Sequence, residues 1–192
     1  MFIQTESTPN PNSLKFIPGR DILGKGTIDF ASADAAAISP LARALFAHDG
    51  VERVFLAGDY VSVTKEADAD WSILKTFILA TLMDHLSAGL PIMGADEGAQ
   101  SSEGHAAHDL TGEAAEIVSQ IIALIDSRIR PAVAQDGGDV LFHSFDPESG
   151  VAYLNMRGAC AGCPSSSMTL KAGIENMLRH YVPEVTRVEA AR

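Results

Sequence analysis

The chain has 192 residues, 46% hydrophobic and 20% charged, with a net charge of −11 from 14 basic and 25 acidic side chains. That length fits one large domain or two small ones, with enough apolar side chains to bury cores. The acidity and the lack of a Lys/Arg patch exclude nucleic acid and anionic membrane surfaces as natural partners, since phosphate binding needs clustered cations.

Phe2 to Glu6 reads as an extended run, and Thr8-Pro9-Asn10-Pro11-Asn12 as a turn. Leu14 to Ile17 resumes a strand that stops at Pro18-Gly19. A short helix is expected over Pro40 to His48, with Leu41, Leu45 and Phe46 on one side. Val51 to Leu56 and Tyr60 to Thr64 alternate around Gly58-Asp59, which predicts a hairpin. Trp71 to Ala88 follows as a helix whose stripe of Leu74, Phe77, Ile78, Leu82 and Leu86 is read as core; Gly89 and Pro91 end it.

Residues 94–112 are small and polar, with four acids and no Lys or Arg, and read as a flexible linker. The flanking segments are both mildly acidic, at −4 for residues 1–93 and −3 for residues 113–192. His105 and His108 fall in the linker and are taken as solvated.

The second half opens with a helix from about Glu113 to Ile129, its face set by Ile117, Val118, Ile121, Ile122, Ile125 and Ile129, with Pro131 near its end. Asp136-Gly137-Gly138-Asp139 reads as a turn, in preference to a cation site. Val140 to Phe145 and Val151 to Met156 form a second hairpin around Asp146 to Gly150. After the loop from Gly158 to Cys163, a helix from Pro164 to about Tyr181 carries Leu170, Ile174, Met177, Leu178 and Tyr181 on one face. Pro183 stops it, and Val185 to Val188 adds a last strand. The expected fold class is α+β: two small α+β domains joined by the linker, the second with the order α-β-β-α-β and its helices on one face of a sheet.

Cys160 and Cys163 are the only cysteines. Two cannot build a disulfide framework. No signal peptide is visible at Met1-Phe2-Ile3-Gln4, and the longest apolar stretch, Phe77 to Met83, is too short to span a bilayer. The expected location is a reducing bacterial cytoplasm, with a processed protein of the mitochondrial matrix as the alternative.

Two thiols two residues apart grip one side of a soft-metal centre and leave it two ligands short of four. With Pro164 at the first helical position, Cys163 falls near the N-cap. The helix dipole there favours negative charge, so the cysteines are expected to ionise readily. Four readings follow from the residues. The thiols could be small buried side chains, or a dithiol for disulfide exchange, although the Ala161-Gly162 dipeptide and the chain order are unlike a thioredoxin pattern. They could be half a zinc site completed by His143, His180 or a second chain. They could equally be half the ligand set of an iron–sulfur cluster, completed by a two-fold-related copy. Spacing alone does not choose between shared zinc and a shared cluster.

The run from Arg157 to Glu175, with Cys160-Ala161-Gly162-Cys163-Pro164 within it, resembles the C-terminal domain of NifU as found in the Nfu scaffold family. Asp136-Gly137-Gly138-Asp139 fits the same family, and Thr8 to Phe16 resembles its separate N-terminal domain. The resemblance covers nearly the whole chain apart from the linker and implies a [4Fe–4S] cluster held between two subunits by Cys160 and Cys163 of each. It also implies delivery of that cluster to apo-proteins, with the first domain contacting clients or cluster-assembly partners. Arg157 is a candidate for offsetting cluster charge or for pairing with an acid, and Ser165, Ser166 and Ser167 read as helix-start residues. No nucleophile–base set or phosphate loop appears, so no enzymatic turnover is expected.

Overall fold

The computed structural model describes residues 2–94, 112–161 and 164–191, with the side chains of residues 164–167 left aside. The chain divides into two compact units, Met1–Glu103 and Gly104–Arg192.

The first unit is built on a five-stranded antiparallel sheet in the order β1-β2-β5-β4-β3. Its strands are β1 (Gln4–Ser7), β2 (Ser13–Ile17), β3 (Ile28–Phe30), β4 (Val51–Leu56) and β5 (Val61–Lys65). The turn between β1 and β2 uses the chemistry its sequence announces. Thr8 Oγ1 donates to the Asn10 carbonyl at 2.9 Å, and Asn10 Oδ1 accepts from the Asn12 N–H at 3.0 Å. Two helices follow, α1 (Pro40–Phe46) and α2 (Trp71–Ser87). Ser39 caps α1, accepting from Ala42 N–H at 3.1 Å, and Asp70 caps α2, accepting from Ser72 N–H at 2.8 Å. Gly89, at φ +64°, turns the chain out of α2. Phe16, Phe30, Leu41, Leu45, Val54, Val63, Leu74, Ile78 and Leu82 form one core between sheet and helices.

One strand of this unit goes unread in the sequence, and one expectation is corrected. The edge strand Ile28–Phe30 was not anticipated; three residues beside Gly24 and Gly26 give too short a period to read. Phe77 does not belong to the core stripe: it is 52% exposed, while Leu74, Ile78, Leu82 and Leu86 are buried as expected.

In the second unit one continuous helical run spans residues 113–135. It comprises α3 (Glu113–Leu124), a π-helical turn (Ile125–Ile129) and α4 (Arg130–Gln135). The expected end near Pro131 is therefore corrected. Pro131 lacks an N–H and crowds the carbonyl four residues back; the wider π turn just before it re-spaces the hydrogen bonds and lets the helix pass through. A three-stranded sheet in the order β6-β7-β8 follows, from β6 (Gly138–Asp146), β7 (Val151–Gly158) and β8 (Arg187–Ala190). β6 and β7 pair antiparallel, and β8 runs parallel to β7. A bulge between Phe142 and Ser144 lets Val140, Phe142 and Phe145 share the core despite their uneven spacing. α5 (Pro164–Tyr181) starts and stops where the sequence places it, and Ile174 and Leu178 enter the same core as Ile117, Ile121 and Ile125. The α-β-β-α-β order holds, with both helical segments packed into one core on the sheet.

The expected linker, residues 94–112, lies outside the described residues except at its two ends. Gly94 N–H bonds the Ile38 carbonyl at 2.8 Å, and Gly112 precedes α3 as its cap with φ +68°. His105 and His108 lie outside the described residues.

Candidate metal centre

The cysteine loop leaves the end of β7 and leads into α5. Gly158 closes β7 in the left-handed region, at φ +60°, a conformation that suits glycine. Three backbone bonds then fold the loop back on its own strand pair. Ala159 N–H donates to the Gly137 carbonyl at 3.2 Å, Cys160 N–H to the Arg157 carbonyl at 3.3 Å, and Ala161 N–H to the Gly158 carbonyl at 3.0 Å. The loop thus rests on the Asp136–Asp139 turn.

That turn needs both of its glycines, for different reasons. Gly137 takes φ +79° to reverse the chain from α4 into β6. Gly138 pairs with Gly158 across the strands and gives its side-chain space to the cysteine. A Cβ there would overlap Cys160 Sγ and come within 2.7 Å of the Arg157 carbonyl oxygen and 3.0 Å of Cys160 N.

Cys160 is only 6% exposed and packs with the apolar core of its unit. Burial first, and then the charges of Asp136 and Asp139, push its thiol pKa up to about 12. The expected ready ionisation is corrected for this residue. The helix-dipole argument concerned the end of the loop, whereas Cys160 sits in the apolar cradle three residues earlier, with carboxylates nearby.

Asp139 is 3% exposed overall and is held by Arg130: Nε to Oδ1 at 2.8 Å and Nη2 to Oδ2 at 3.0 Å. Asp139 Oδ1 also accepts the Val140 N–H at 2.9 Å. Bonding to Asp139 raises the Arg130 pKa above its ordinary value, and Asp126 supports it on the exposed side. Asp139 thus has a structural role beneath the loop, as the turn reading implied. The Arg130 partnership went unread, because nothing in the sequence marks a pair nine residues apart across a helix end. Arg157 stands opposite Asp139 in the β6–β7 register.

Cys163 lies outside the described residues. His143, at the β6 bulge, and His180, edge-on to Tyr181 at 4.8 Å, are both exposed. Among the described residues no group of three or more His, Cys, Asp or Glu side chains comes together as a metal site. Ser165, Ser166 and Ser167 occupy the first turn of α5, as read.

The described residues thus form a small α+β domain in which Cys160, between a strand and a helix, packs against a glycine-built turn. Residues 3–89 match the family described as "Scaffold protein Nfu/NifU N terminal", and residues 121–189 match the "NifU-like domain". The chain is 51% identical over 98% of its length to "NifU-like protein 4, mitochondrial" of Arabidopsis thaliana, covering 65% of that protein. It is 50% identical over 98% of its length to "NFU1 iron-sulfur cluster scaffold homolog, mitochondrial" of Homo sapiens, covering 71% of that protein. It spans about two thirds of the length of such relatives. The chain belongs to the Nfu/NifU family.

Proposed function

We propose that this chain is a scaffold and carrier for an iron–sulfur cluster. Cys160 and Cys163 of two copies together hold one [4Fe–4S] cluster, which then passes to apo-proteins. Residues 113–192 bind the cluster, residues 1–93 contact clients or assembly proteins, and residues 94–112 join them.

The observation that carries this reading is the pair of cysteines in the matched NifU-like domain, the only two thiols in the chain. The relatives' names as iron–sulfur scaffolds support it. A cluster takes four thiolate ligands, so two from each of two chains complete the set. Such a cluster is released when the pair separates, and a client supplying all its ligands from one chain holds it at a lower entropic cost. The sheltered Cys160 fits storage as a protonated thiol; iron displaces the proton on ligation, as metals do from thiol ligands.

A dithiol redox role fits less well. Its attacking sulfur would be an accessible thiolate, a part that Cys160, neither exposed nor easily ionised, does not suit and that would fall to Cys163. A shared zinc remains an outcome of the test below. The mitochondrial names of the relatives support the mitochondrial-matrix alternative over the bacterial cytoplasm.

The test is anaerobic reconstitution with iron and sulfide, followed by size-exclusion chromatography and metal analysis. About four iron and four sulfide per dimer, with thiolate-to-iron absorbance, is the expected result. A colourless protein that binds zinc or forms only a reversible intrachain disulfide overturns the proposal. So does cluster transfer to an apo-ferredoxin no faster than loss to a chelator.

A further inference from the structure

The first unit presents a surface that cluster chemistry leaves unused. Ile73 and Phe77, one turn apart on α2, are 61% and 52% exposed although both are large and apolar. They border a groove of about 410 Å³ between the segment after α1 and the first half of α2, where His48, Asp49, Asp70 and Leu74 also line it. The volume lies at the low end for a ligand site, roughly 300–1,000 Å³, and suits one or two side chains.

The groove is held in shape. The Phe77 ring stacks on His48 with centroids 5.7 Å apart and planes at 23°. His48 Nε2 in turn shares a hydrogen bond with Thr81 Oγ1 at 2.7 Å. A supported apolar ring costs less to immobilise on binding than a mobile one.

The charges lining it are of one sign, with Lys65, outside the lining, acting on Asp70. Among the described residues, two carboxylates and no Lys or Arg line it. Asp70 is fixed by its bond to Ser72 N–H, which also holds its carboxyl below the usual range and keeps it charged. The chain itself is a poor complement. A second copy brings a further −11, and residues 113–192 bring −3.

We infer that this groove docks a segment of a different protein, one presenting an aliphatic or aromatic anchor beside Lys or Arg. The anchor enters between Ile73 and Phe77, and the cation meets Asp49 and Asp70. So small a contact makes the docking transient, as a carrier that must leave its partner requires. The surface lies in the unit without cysteines, so its test is separate from that of cluster binding.

The test uses the full chain and fluorescein-labelled dodecapeptides, each with one Leu or Phe between lysines, read by fluorescence anisotropy. Sequence-matched peptides with Glu for Lys are the controls. The lysine peptides should bind at least about tenfold more tightly than their Glu counterparts, and less tightly as salt rises. Ile73→Ser and Phe77→Ser should each weaken binding by about tenfold, the range of an anchor contact. Asp49→Asn with Asp70→Asn should remove the salt dependence; Asn caps a helix as well as Asp, so α2 is preserved. Should Phe77→Ser unfold for want of its His48 stack, Ile73→Ser decides alone. The proposal is overturned by equal binding of Lys and Glu peptides, by no saturable binding, or by unchanged affinity in the folded serine variants. Sedimentation showing self-association of the apo chain that Ile73→Ser abolishes would assign the face to a second copy and also overturn it.

Discussion

Arg130 clasps Asp139 through two parallel hydrogen bonds, Nε to Oδ1 and Nη2 to Oδ2, and so pins the end of a helix to the first residues of the strand beneath the cysteine loop. The Asp139 side chain is 4% exposed and that of Arg130 25%. The geometry is the planar fork that favours Arg over Lys.

Arg130→Met should therefore be costly. Removing one member of a buried pair costs about 3–5 kcal/mol, and the partial exposure of Arg130 lowers the expectation to about 2–3 kcal/mol. Denaturant unfolding checks it, with Arg130→Lys expected to recover only part of the loss. The Arg130 pKa is raised, so its contribution is full below the ordinary guanidinium value and is lost only as pH climbs past the raised one. The titration of Arg130 itself should add no slope to the stability difference between about pH 6 and 9. A difference under about 0.5 kcal/mol would mean the pair is structurally idle.

Gly138→Ala tests the cradle. The added methyl competes with Cys160 Sγ, with the Arg157 carbonyl oxygen in the β6–β7 ladder, and with Cys160 N, which is bonded to that oxygen. Overpacking of this kind costs about 1–3 kcal/mol, and the side chain is the part free to yield. In a Cys163→Ser background, alkylation of Cys160 should speed up at least about tenfold as its sulfur is expelled. Wild-type reactivity at unchanged stability would show that the space at Gly138 is not what shelters the thiol.

Much of the fold was legible because its signals are local. The turn at Thr8–Asn12, the helix over Trp71 to Ala88 and the boundaries of α5 are written in residues adjacent to where they act. The misreadings needed information from elsewhere in the chain. Pro131 looks like a helix end until a π turn absorbs it, and Phe77 fits the apolar period of α2 yet lies beyond the sheet's cover. At the site, the cysteine pair and the glycine turn were visible as motifs. Their contact, with Gly138 under Cys160 and Asp139 gripped by Arg130, depends on strand register, which no single-residue signal encodes. The chemistry of Cys160 was misjudged for the same reason: its burial is a property of the packed unit.

The pairing of Lys171 with Glu189, at 2.6 Å, ties α5 to β8 and should make the second unit sensitive to acid. The bond to Lys171 is the largest cause of a Glu189 pKa below its ordinary 4.5. Its stabilisation is then complete above 4.5 and is lost as pH falls through the lowered value. Both side chains are more than a quarter exposed, so the effect belongs to the range of surface pairs, about 0.2–1 kcal/mol. Lys171→Met should reduce stability at neutral pH by that amount and converge with wild type once pH has fallen past the lowered Glu189 value. Stability curves that stay parallel through the acid range would remove Glu189 as the titrating group.

The ligand assignment makes the sharpest demand. Cys160→Ser and Cys163→Ser should each abolish cluster binding and cluster-linked dimerisation after anaerobic reconstitution. The two should differ in stability. Cys160 lies in an apolar core, where exchanging a thiol for a hydroxyl leaves a polar group in want of a partner, at about 1–3 kcal/mol. Cys160→Ala avoids that polar group and should stay closer to wild type in unfolding while still losing the cluster. Loss of cluster in Cys160→Ala at near wild-type stability therefore separates ligation from packing. A retained cluster in Cys160→Ala, with the dimer intact, would place the iron ligands elsewhere and leave Cys160 as a core residue.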